Sequence, residues 1–427
     1  MKFKLTSLEK KWVLYDVGNS AFTLLVSTIM PIYFNYLAGK EGISDVDYLA
    51  YWGYAVSLST ILVAVLGPTL GTASDIRGWK KKIFLGSLLV GALGCVALGF
   101  MRSWIWFLLL FVIAKSAYSV SLVIYDSMLS DVTTMERSDH VSAHGYAWGY
   151  IGSCIPFLLS LALVLGYETL GISMELAMGI AFLLVAVWWV AMTAPLYAAY
   201  RQKHYQNKSD HPVRACAGRL KGVFLELGKN RKVLFFLIAF FFYIDGVYTI
   251  IDMATAYGTA LGLDTTGLLL ALLLTQIVAF PAALLFGRLS SKVAAQKLIL
   301  VSIAAYFLIA LYGIGLSSQY QFWILAVCVG IFQGTIQSMS RSYYARIIPP
   351  EKSGEYFGIY DICGKGASFM GTMLVSWVSQ LTGSVNWGVG ALSIMFLLGF
   401  FFFLKAHGTN GQEAEAWETE TVGEIGH

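Results

Sequence analysis

Long apolar runs separated by short polar segments follow one another along the whole chain. Each run is close to the about 20 residues that an α-helix needs to cross a bilayer. The pattern therefore predicts twelve membrane-spanning helices. The predicted spans are approximately 13–37, 52–74, 83–101, 104–128, 143–165, 176–197, 233–257, 268–287, 298–316, 320–341, 356–381 and 387–404.

Composition supports a protein that lies in lipid. Hydrophobic residues make up 57% of the chain and charged residues 13%, and the mean hydropathy is +0.68. A soluble core of this length could not enclose so much apolar surface. We therefore expect an all-α, multi-pass integral membrane protein.

The longest polar stretch divides the predicted spans into two sets of six, as expected for two pseudo-repeats. The predicted parts are a six-helix bundle at 1–198, a cytoplasmic linker at 199–232, a second six-helix bundle at 233–405 and an acidic cytoplasmic tail at 406–427 that we expect to be disordered. Apolar residues in the linker recur at helical spacing, at Leu220, Val223, Phe224 and Leu227. They predict a short helix that lies in the membrane surface.

The positive charges lie almost entirely on one side of the predicted membrane. With the N-terminus inside, all but four of the 29 Lys and Arg residues fall in inner segments. Cytoplasmic loops carry such an excess of Lys and Arg, so both termini are predicted to be cytoplasmic. The net charge of +4 is explained by this topology and by anionic inner-leaflet lipids, and no nucleic-acid partner is expected.

No residue pattern indicates an enzyme, a metal site or a cofactor. The five cysteines show no CxxC spacing, so neither a zinc site nor a disulfide framework is predicted. No nucleophile and base stand at catalytic spacing. A channel would need a ring of equivalent polar groups, whereas the polar residues here differ from span to span.

The loop between the second and third spans carries a specific motif. Gly71, Asp75, Gly78, Lys80 and Ile83 fit the G-x-x-x-D-x-x-G-x-K-x-x-I/L signature of the major facilitator superfamily, which the chain therefore resembles. The small glycine lets two helices approach closely, and the aspartate can accept from a helix N-terminus or an arginine and so latch the inner gate.

The chain departs from that signature at two positions where basic residues are usual, Ile76 and Trp79. Arg77 and the lysines from Lys80 onward restore the charge. The corresponding loop of the second half has Ser291 where the first half has the aspartate, so any latch there should be weaker.

Three other stretches narrow the resemblance. WVLYDVGNSAF in span 1, FFFYIDGVYTI in span 7, and QSMSRSYYARIIPPEKSGEYFGIYDICGKGASF across spans 10 and 11 resemble the vacuole-effluxer-like branch of that superfamily, whose fungal members are associated with amino-acid release from vacuoles. The resemblance implies the twelve-helix major facilitator fold, two six-helix pseudo-repeats around a central cavity, and a bacterial-type member in the cell membrane.

In this fold, the resemblance further implies that spans 1, 4, 7 and 10 line the central path. Charged and polar residues within the membrane are costly and mark functional sites. The candidates for substrate binding or proton coupling are Asp16, Asn19, Lys115, Tyr118, Asp126, Asp245, Asp252, Gln333, Gln337 and Arg341. The gating motif comprises Gly71, Asp75, Arg77, Gly78 and Lys80.

Several of these residues have a structural alternative. Asp16 lies near the predicted start of its span, where the helix dipole alone would stabilise a carboxylate. The two glutamines are equally compatible with interhelical hydrogen bonds. Asp361 and Lys365 are four residues apart on span 11, and a structural ion pair is the favoured interpretation for them.

The predicted function is secondary active transport of a small solute by alternating access, coupled to protons, by a monomer in the lipid bilayer. A zwitterion suits the side chains, with Lys115 or Arg341 for its carboxylate and Asp245 or Asp252 for its ammonium group. An amino acid or short peptide is therefore favoured. A transporter of lipid or another amphiphile, and a ligand sensor on the same fold, remain the alternatives.

Overall fold

The computed structural model describes residues 3–43, 45–207, 227, 228 and 230–408, without the side chains of 45–50, 255, 265, 266, 365–369, 407 and 408. Most of the predicted linker helix and nearly all of the acidic tail lie outside the described residues. The structural statements below refer to the described part of the chain.

The described part of the chain contains twelve long helices, six before and six after the predicted linker. The first six are α1 Ser7–Lys40, α2 Asp45–Ser74, α3 Lys80–Leu98, α4 Trp104–Ser127, α5 Ser138–Leu165 and α6 Met174–Ala199. The second six are α7 Arg231–Ala260, α8 Thr265–Leu289, α9 Ala295–Ile314, α10 Gln319–Ile347, α11 Ser353–Thr382 and α12 Val385–Gly408. One-turn helices at Leu129–Val132 and Pro350–Lys352 complete the list.

Length and composition match a membrane protein. Eleven of the helices in the described part are long and apolar enough to cross a membrane, and α11, with 30 residues, has the length without the same apolar run. Strand-type pairing among the described residues consists of one isolated bridge between Ile76 and Gln206. The all-α, multi-pass architecture predicted from the apolar runs is confirmed.

The first helix begins earlier than its apolar run suggests. Thr6 and Glu9 form a reciprocal capping box at its start, which satisfies two backbone N–H groups that would otherwise lack partners. Near its middle, at Leu25–Ile29, α1 widens into a π-helical turn. Such turns are uncommon and occur frequently at functional sites.

The connection between α2 and α3 is a tight turn closed by Gly78, whose φ is +80°. Residues with a side chain rarely adopt this left-handed backbone conformation, so glycine is the residue that fits here. The segment that follows α6 packs onto the same turn, because Gln202 accepts a hydrogen bond from the Gly78 N–H at 2.9 Å. We call the end of the bundle that carries this turn and the start of the linker the linker end.

Candidate substrate pathway and gate

Arg341 on α10 joins the two halves at the linker end. Its side chain is only 2% exposed, and its Nη2 and Nη1 donate to Asp16 Oδ2 and Asp126 Oδ1, both at 3.1 Å. Its Nε donates to Ser142 Oγ at 2.9 Å, and Nη2 also donates to the Ser142 carbonyl at 3.1 Å. These partners all belong to the first half. In this conformation the guanidinium is therefore occupied by the protein's own groups.

Three aromatic rings surround the same guanidinium. Its central carbon lies 4.7 Å from the Trp12 ring centre, 5.6 Å from that of Tyr125 and 4.2 Å from that of Tyr146. A cation over an aromatic face is attracted by the ring quadrupole, more strongly when it is desolvated. Trp12 is itself held in place, since its Nε1 donates to the Tyr125 carbonyl at 3.2 Å.

Glycines on α5 make room for this cluster. A Cβ at Gly145 would lie 2.2 Å from Asp16 Oδ2 and 2.9 Å from Arg341 Nη2. One turn later, a Cβ at Gly149 would lie 2.8 Å from Ser20 Oγ. The α1 and α5 backbones can therefore approach closely only because these positions lack side chains.

Asp16 is a member of this charge cluster and lies beyond the first turn of its helix. It stands nine residues after the first residue of α1, too far for the helix dipole alone to stabilise it. Its carboxylate also accepts hydrogen bonds from the Tyr125 hydroxyl at 2.8 Å and from Asn19 Nδ2 at 3.2 Å. The geometry thus favours an ion-paired residue between the halves over the dipole explanation.

A chain of polar contacts leads from Asp16 deeper into the bundle. The hydroxyl of Tyr118 on α4 donates to Asn19 Oδ1 at 3.5 Å and is hydrogen-bonded to Thr23 Oγ1 at 2.6 Å. Thr23 is exposed although it lies in the middle of α1. Thr23 thus extends the polar contacts of Asp16 and Asn19 along α1.

Asp75 caps the first turn of α11 from across the interface. Its two carboxylate oxygens accept the backbone N–H groups of Gly354 and Glu355 at 2.9 and 3.0 Å. Lys80 Nζ lies 3.3 Å from Asp75 Oδ1 and donates to Ser353 Oγ at 2.9 Å. Burial raises the pKa of the Asp75 carboxyl above its usual value, while Lys80 and the two backbone donors oppose that rise.

The motif glycine lies at the closest approach of the two halves. A Cβ at Gly71 would lie 2.2 Å from the Gly354 carbonyl oxygen, and a Cβ at Gly354 would lie 2.4 Å from the Gly71 carbonyl oxygen. No side chain fits between them. By contrast, Arg77 is exposed and its guanidinium lies 5.1 Å from the Tyr205 ring centre, so it contacts the start of the linker.

Two further contacts between the halves involve residues that the sequence pattern did not single out. Asp139 on α5 accepts from Arg346 Nη1 at 2.7 Å and from the Ser342 hydroxyl at 2.5 Å. Tyr150 on α5 donates to Gln337 Oε1 at 2.5 Å, so in this conformation that glutamine joins two helices. Gln333, one turn earlier on α10, is also buried.

Lys115 and Asp252 are intramembrane charges of opposite sign on opposite halves. Lys115 on α4 is half-buried, whereas Asp252, eight residues before the end of α7, is exposed. The ammonium of Lys115 lies within electrostatic reach of the Asp252 carboxylate.

Asp245 has a different environment. It is fully buried, and its Oδ1 accepts from the Gly371 N–H at 3.1 Å and from Thr249 Oγ1 at 3.3 Å. Its Oδ2 has no hydrogen-bond partner among the described residues, and no cation within ion-pair distance is found in that part of the chain. The side chain therefore faces α11 and not the Arg341 cluster.

The pair predicted on α11 is only half described. Asp361 is half-buried and lies within electrostatic reach of Asp126 and Tyr118. The side chain of Lys365 lies outside the described residues. An ion pair between the two remains a prediction.

Similar hydrogen bonds join the first and fourth helices of each half. Tyr15 on α1 is hydrogen-bonded to Ser121 on α4 at 2.6 Å, and Tyr243 on α7 is hydrogen-bonded to Ser340 on α10 at 2.6 Å. When the halves are aligned on these two tyrosines, Asp16 is opposite Ile244, and Asp245 stands one position later.

Sequence reasoning missed the aromatic and hydroxyl partners of Arg341. Tyr125 directly precedes Asp126, while Ser142 and Tyr146 are four residues apart and so share one face of α5. A search for aromatic and hydroxyl residues on the helix faces next to intramembrane charges would have selected them. The pairing itself needed the packed structure.

A model of the family described as "Vacuole effluxer Atg22 like" matches residues 7–134 and 130–416 of this chain. The chain belongs to this family. The "Uncharacterized MFS-type transporter YxiO" of Bacillus subtilis is 38% identical over 404 residues, which cover 93% of this chain and 94% of that protein. "Autophagy-related protein 22" of Kluyveromyces lactis is 24% identical over 416 residues, with 88% and 82% covered.

Solved structures establish the fold of this family member. The fucose:proton symporter FucP of E. coli, in the outward conformation, matches with a TM-score of 0.70 at 14% identity, covering 94% of this chain and 97% of that one. An outward-facing bacterial homologue of ferroportin matches with a TM-score of 0.71 at 13% identity, covering 94% and 99%. The chain has the major facilitator fold and is a membrane transporter, as the sequence predicted, and not an enzyme.

Proposed function

We propose that this family member is a secondary active transporter that moves a small zwitterionic solute, an amino acid or a short peptide, by alternating access coupled to protons. One observation carries the substrate class: Lys115 and Asp252 present opposite charges from opposite halves within the membrane. A zwitterion would bind its carboxylate at Lys115 and its ammonium group at Asp252.

Alternating access is supported by where the halves are joined. Arg341, Asp139 and Asp75 each make contacts between the halves at the linker end. Breaking these contacts would open that end, and their formation would leave the path open to the opposite side. The excess of Lys and Arg in the linker and neighbouring loops favours a cytoplasmic linker end in a bacterial cell membrane.

Proton coupling is assigned to Asp245. A buried carboxylate without a cation is costly in its charged form, and Asp245 has neither an ion pair nor a partner for Oδ2 among the described residues. Rearrangement of α7 against α11 would change the surroundings of this carboxyl group. Its affinity for a proton would then differ between the two states, which is the requirement for coupling.

The experiment begins with purified protein and a panel of zwitterionic, cationic and anionic solutes in a thermal-shift assay. A solute that binds the folded state raises the melting temperature by mass action. The selected solute is then tested with Lys115→Met and Asp252→Asn, which should each abolish its stabilising effect. Lys40→Met is the matched control, because Lys40 pairs with Glu175 at the opposite end and is 53% exposed.

Coupling is tested with two assays on one vesicle preparation. Asp245→Asn should retain solute exchange, which needs no net proton transfer, and should lose uptake or efflux driven by a pH gradient. Gradient-driven transport that survives in Asp245→Asn, Asp252→Asn and Asp16→Asn alike would contradict proton coupling at these sites. Stabilisation by lipids alone would favour an amphiphile transporter, and solute binding without any flux would favour a sensor.

A further inference from the structure

Arg341, on the second half, inserts its guanidinium into a pocket built by the first half. The walls of that pocket come from α1, α4 and α5, and we call them the cation cage: Trp12, Asp16, Tyr125, Asp126, Ser142 and Tyr146. The cage contains two carboxylates and three aromatic faces around one guanidinium. Aromatic rings combined with carboxylates are the usual means of recognising an organic cation.

We infer that the cation cage is a binding site for the guanidinium or ammonium group of a small solute, and that Arg341 occupies it as an internal ligand when the linker end is closed. Parting of the halves would withdraw Arg341 on α10 and leave the cage intact. Two carboxylates would then face a water-filled opening without their cation. A solute cation entering from the linker end would replace the lost charge.

The geometry supports a preformed cage and not a mere contact. Trp12 is locked by its hydrogen bond to the Tyr125 carbonyl at 3.2 Å, and the Tyr125 hydroxyl is bonded to Asp16 at 2.8 Å. Asn19 holds the other Asp16 oxygen at 3.2 Å. None of these bonds depends on Arg341, so they can persist after its withdrawal.

Competition between Arg341 and a solute gives the cage a role in transport. While a solute cation fills the cage, Arg341 cannot return and the linker end cannot close. Release of the solute would let Arg341 bind again. This role rests on the proposed alternating access, whereas binding of a cation to the cage does not.

The test uses the full-length Arg341→Ala protein, in which the cage is vacated by substitution. Guanidinium chloride at millimolar concentration should raise its melting temperature in a saturable manner. Urea, which has the same planar shape without the charge, and sodium chloride at equal ionic strength should not. In the wild-type protein, where Arg341 fills the cage, the saturable rise should be absent.

Two further variants identify the site. In the Arg341→Ala background, Trp12→Leu should weaken guanidinium binding by about tenfold, and Asp16→Asn should weaken it at least as much. Arg346→Ala is the matched control. It removes a guanidinium that pairs with Asp139, and no aromatic ring among the described residues lies over that guanidinium. That variant should show no saturable response.

Equal responses to guanidinium and sodium, or binding that survives both Trp12→Leu and Asp16→Asn, would overturn the inference. If Arg341→Ala does not fold, Arg341→Gln takes its place, because the amide can still bond Ser142. On the same variant, the rise in melting temperature with arginine is then compared with that with citrulline, whose side chain has a similar shape without the charge. This comparison tests a ligand of the size of a solute. Cation binding without solute flux would support the cation cage and contradict the proposed transport. Solute flux without cation binding would support the proposed transport and contradict the cation cage.

Discussion

Two buried aspartates near the start of the two halves show how one residue of register changes chemistry. Asp16 pairs with Arg341 and accepts from Tyr125 and Asn19. Asp245 accepts only from a backbone N–H and a threonine hydroxyl and has no ion pair among the described residues. The first carboxylate belongs to a contact between the halves, and the second lies within one half.

The cause is helical rotation. The equivalent tyrosines, Tyr15 and Tyr243, align the two helices so that Asp245 stands one position later than Asp16. One residue turns a side chain by about 100° around a helix of 3.6 residues per turn. Asp16 is thereby directed towards α4, α5 and α10, and Asp245 towards α11. Similar sequence surroundings do not imply similar partners.

Loss of Arg341 should have the largest effect on the free energy of unfolding, and it should disturb the surroundings of Asp16 but not those of Asp245. Arg341→Met leaves the buried Asp16 and the partly buried Asp126 without their cation, which should lower the free energy of unfolding by about 3–5 kcal/mol. Chemical denaturation in detergent measures this change. Arg346→Met is the comparison variant, and it should cost less, about 1–3 kcal/mol, because it leaves one carboxylate and not two without a cation and its own side chain is 24% exposed. Equal costs for the two variants would contradict the enclosed cluster.

The two aspartates should respond differently to the same substitution. Asp16→Asn removes a charged hydrogen-bond partner of Arg341 and should cost about 1.5–3 kcal/mol. Asp245→Asn should cost less than about 1 kcal/mol, since an amide oxygen can still accept from Gly371 and Thr249. Denaturation of both variants under one condition checks the difference. Equal destabilisation would mean that Asp245 also has a cation partner.

Glycine substitutions disturb each carboxylate through its neighbouring helix. A Cβ at Gly145 would lie 2.2 Å from Asp16 Oδ2, and a Cβ at Gly371 would lie 2.2 Å from Thr249 Oγ1 and 2.8 Å from Asp245 Oδ1. Each Gly→Ala change should destabilise by about 1–3 kcal/mol through overpacking. Gly145→Ala should also increase labelling of cysteines introduced at the linker end, whereas Gly371→Ala should not.

Gly86→Ala serves as the control for both glycine variants, because nothing lies within 4 Å of its added Cβ. It should leave stability unchanged or raise it by about 0.5–1 kcal/mol through helix propensity. If Gly145→Ala behaves like this control, the close approach of α5 to Asp16 is not required.

Asp75→Asn should show mainly as a change in accessibility. The amide keeps one acceptor oxygen for the start of α11 and loses the attraction of Lys80, at a cost of about 1 kcal/mol. Labelling of cysteines at the linker end should rise while expression is unchanged. Arg77→Gln, on the exposed side of the same turn, should leave labelling as it was. Unchanged labelling in Asp75→Asn would remove the latch from the mechanism.

Sequence alone predicted the architecture and pointed to two residues that lie where the halves approach closely. Apolar runs of bilayer length gave twelve helices, and the α2–α3 motif pointed to Gly71 and Asp75 as residues for close approach and for an acceptor at a helix N-terminus. The structure places both residues against Gly354 at the start of α11. Their role in gating remains a prediction.

The helices and the α2–α3 turn could be predicted from local sequence, because the length of an apolar run and the need for glycine in a tight turn depend only on residues that are close together in the chain. Only the tertiary structure decided which charges pair, since pairing depends on how each helix is rotated and which helix packs beside it. Arg341 lies 325 residues from Asp16 along the chain, and its enclosure by Trp12 and Tyr146 joins three helices. Among the described residues Asp245 has no such neighbour, because its position on α7 is rotated by one residue away from that cluster.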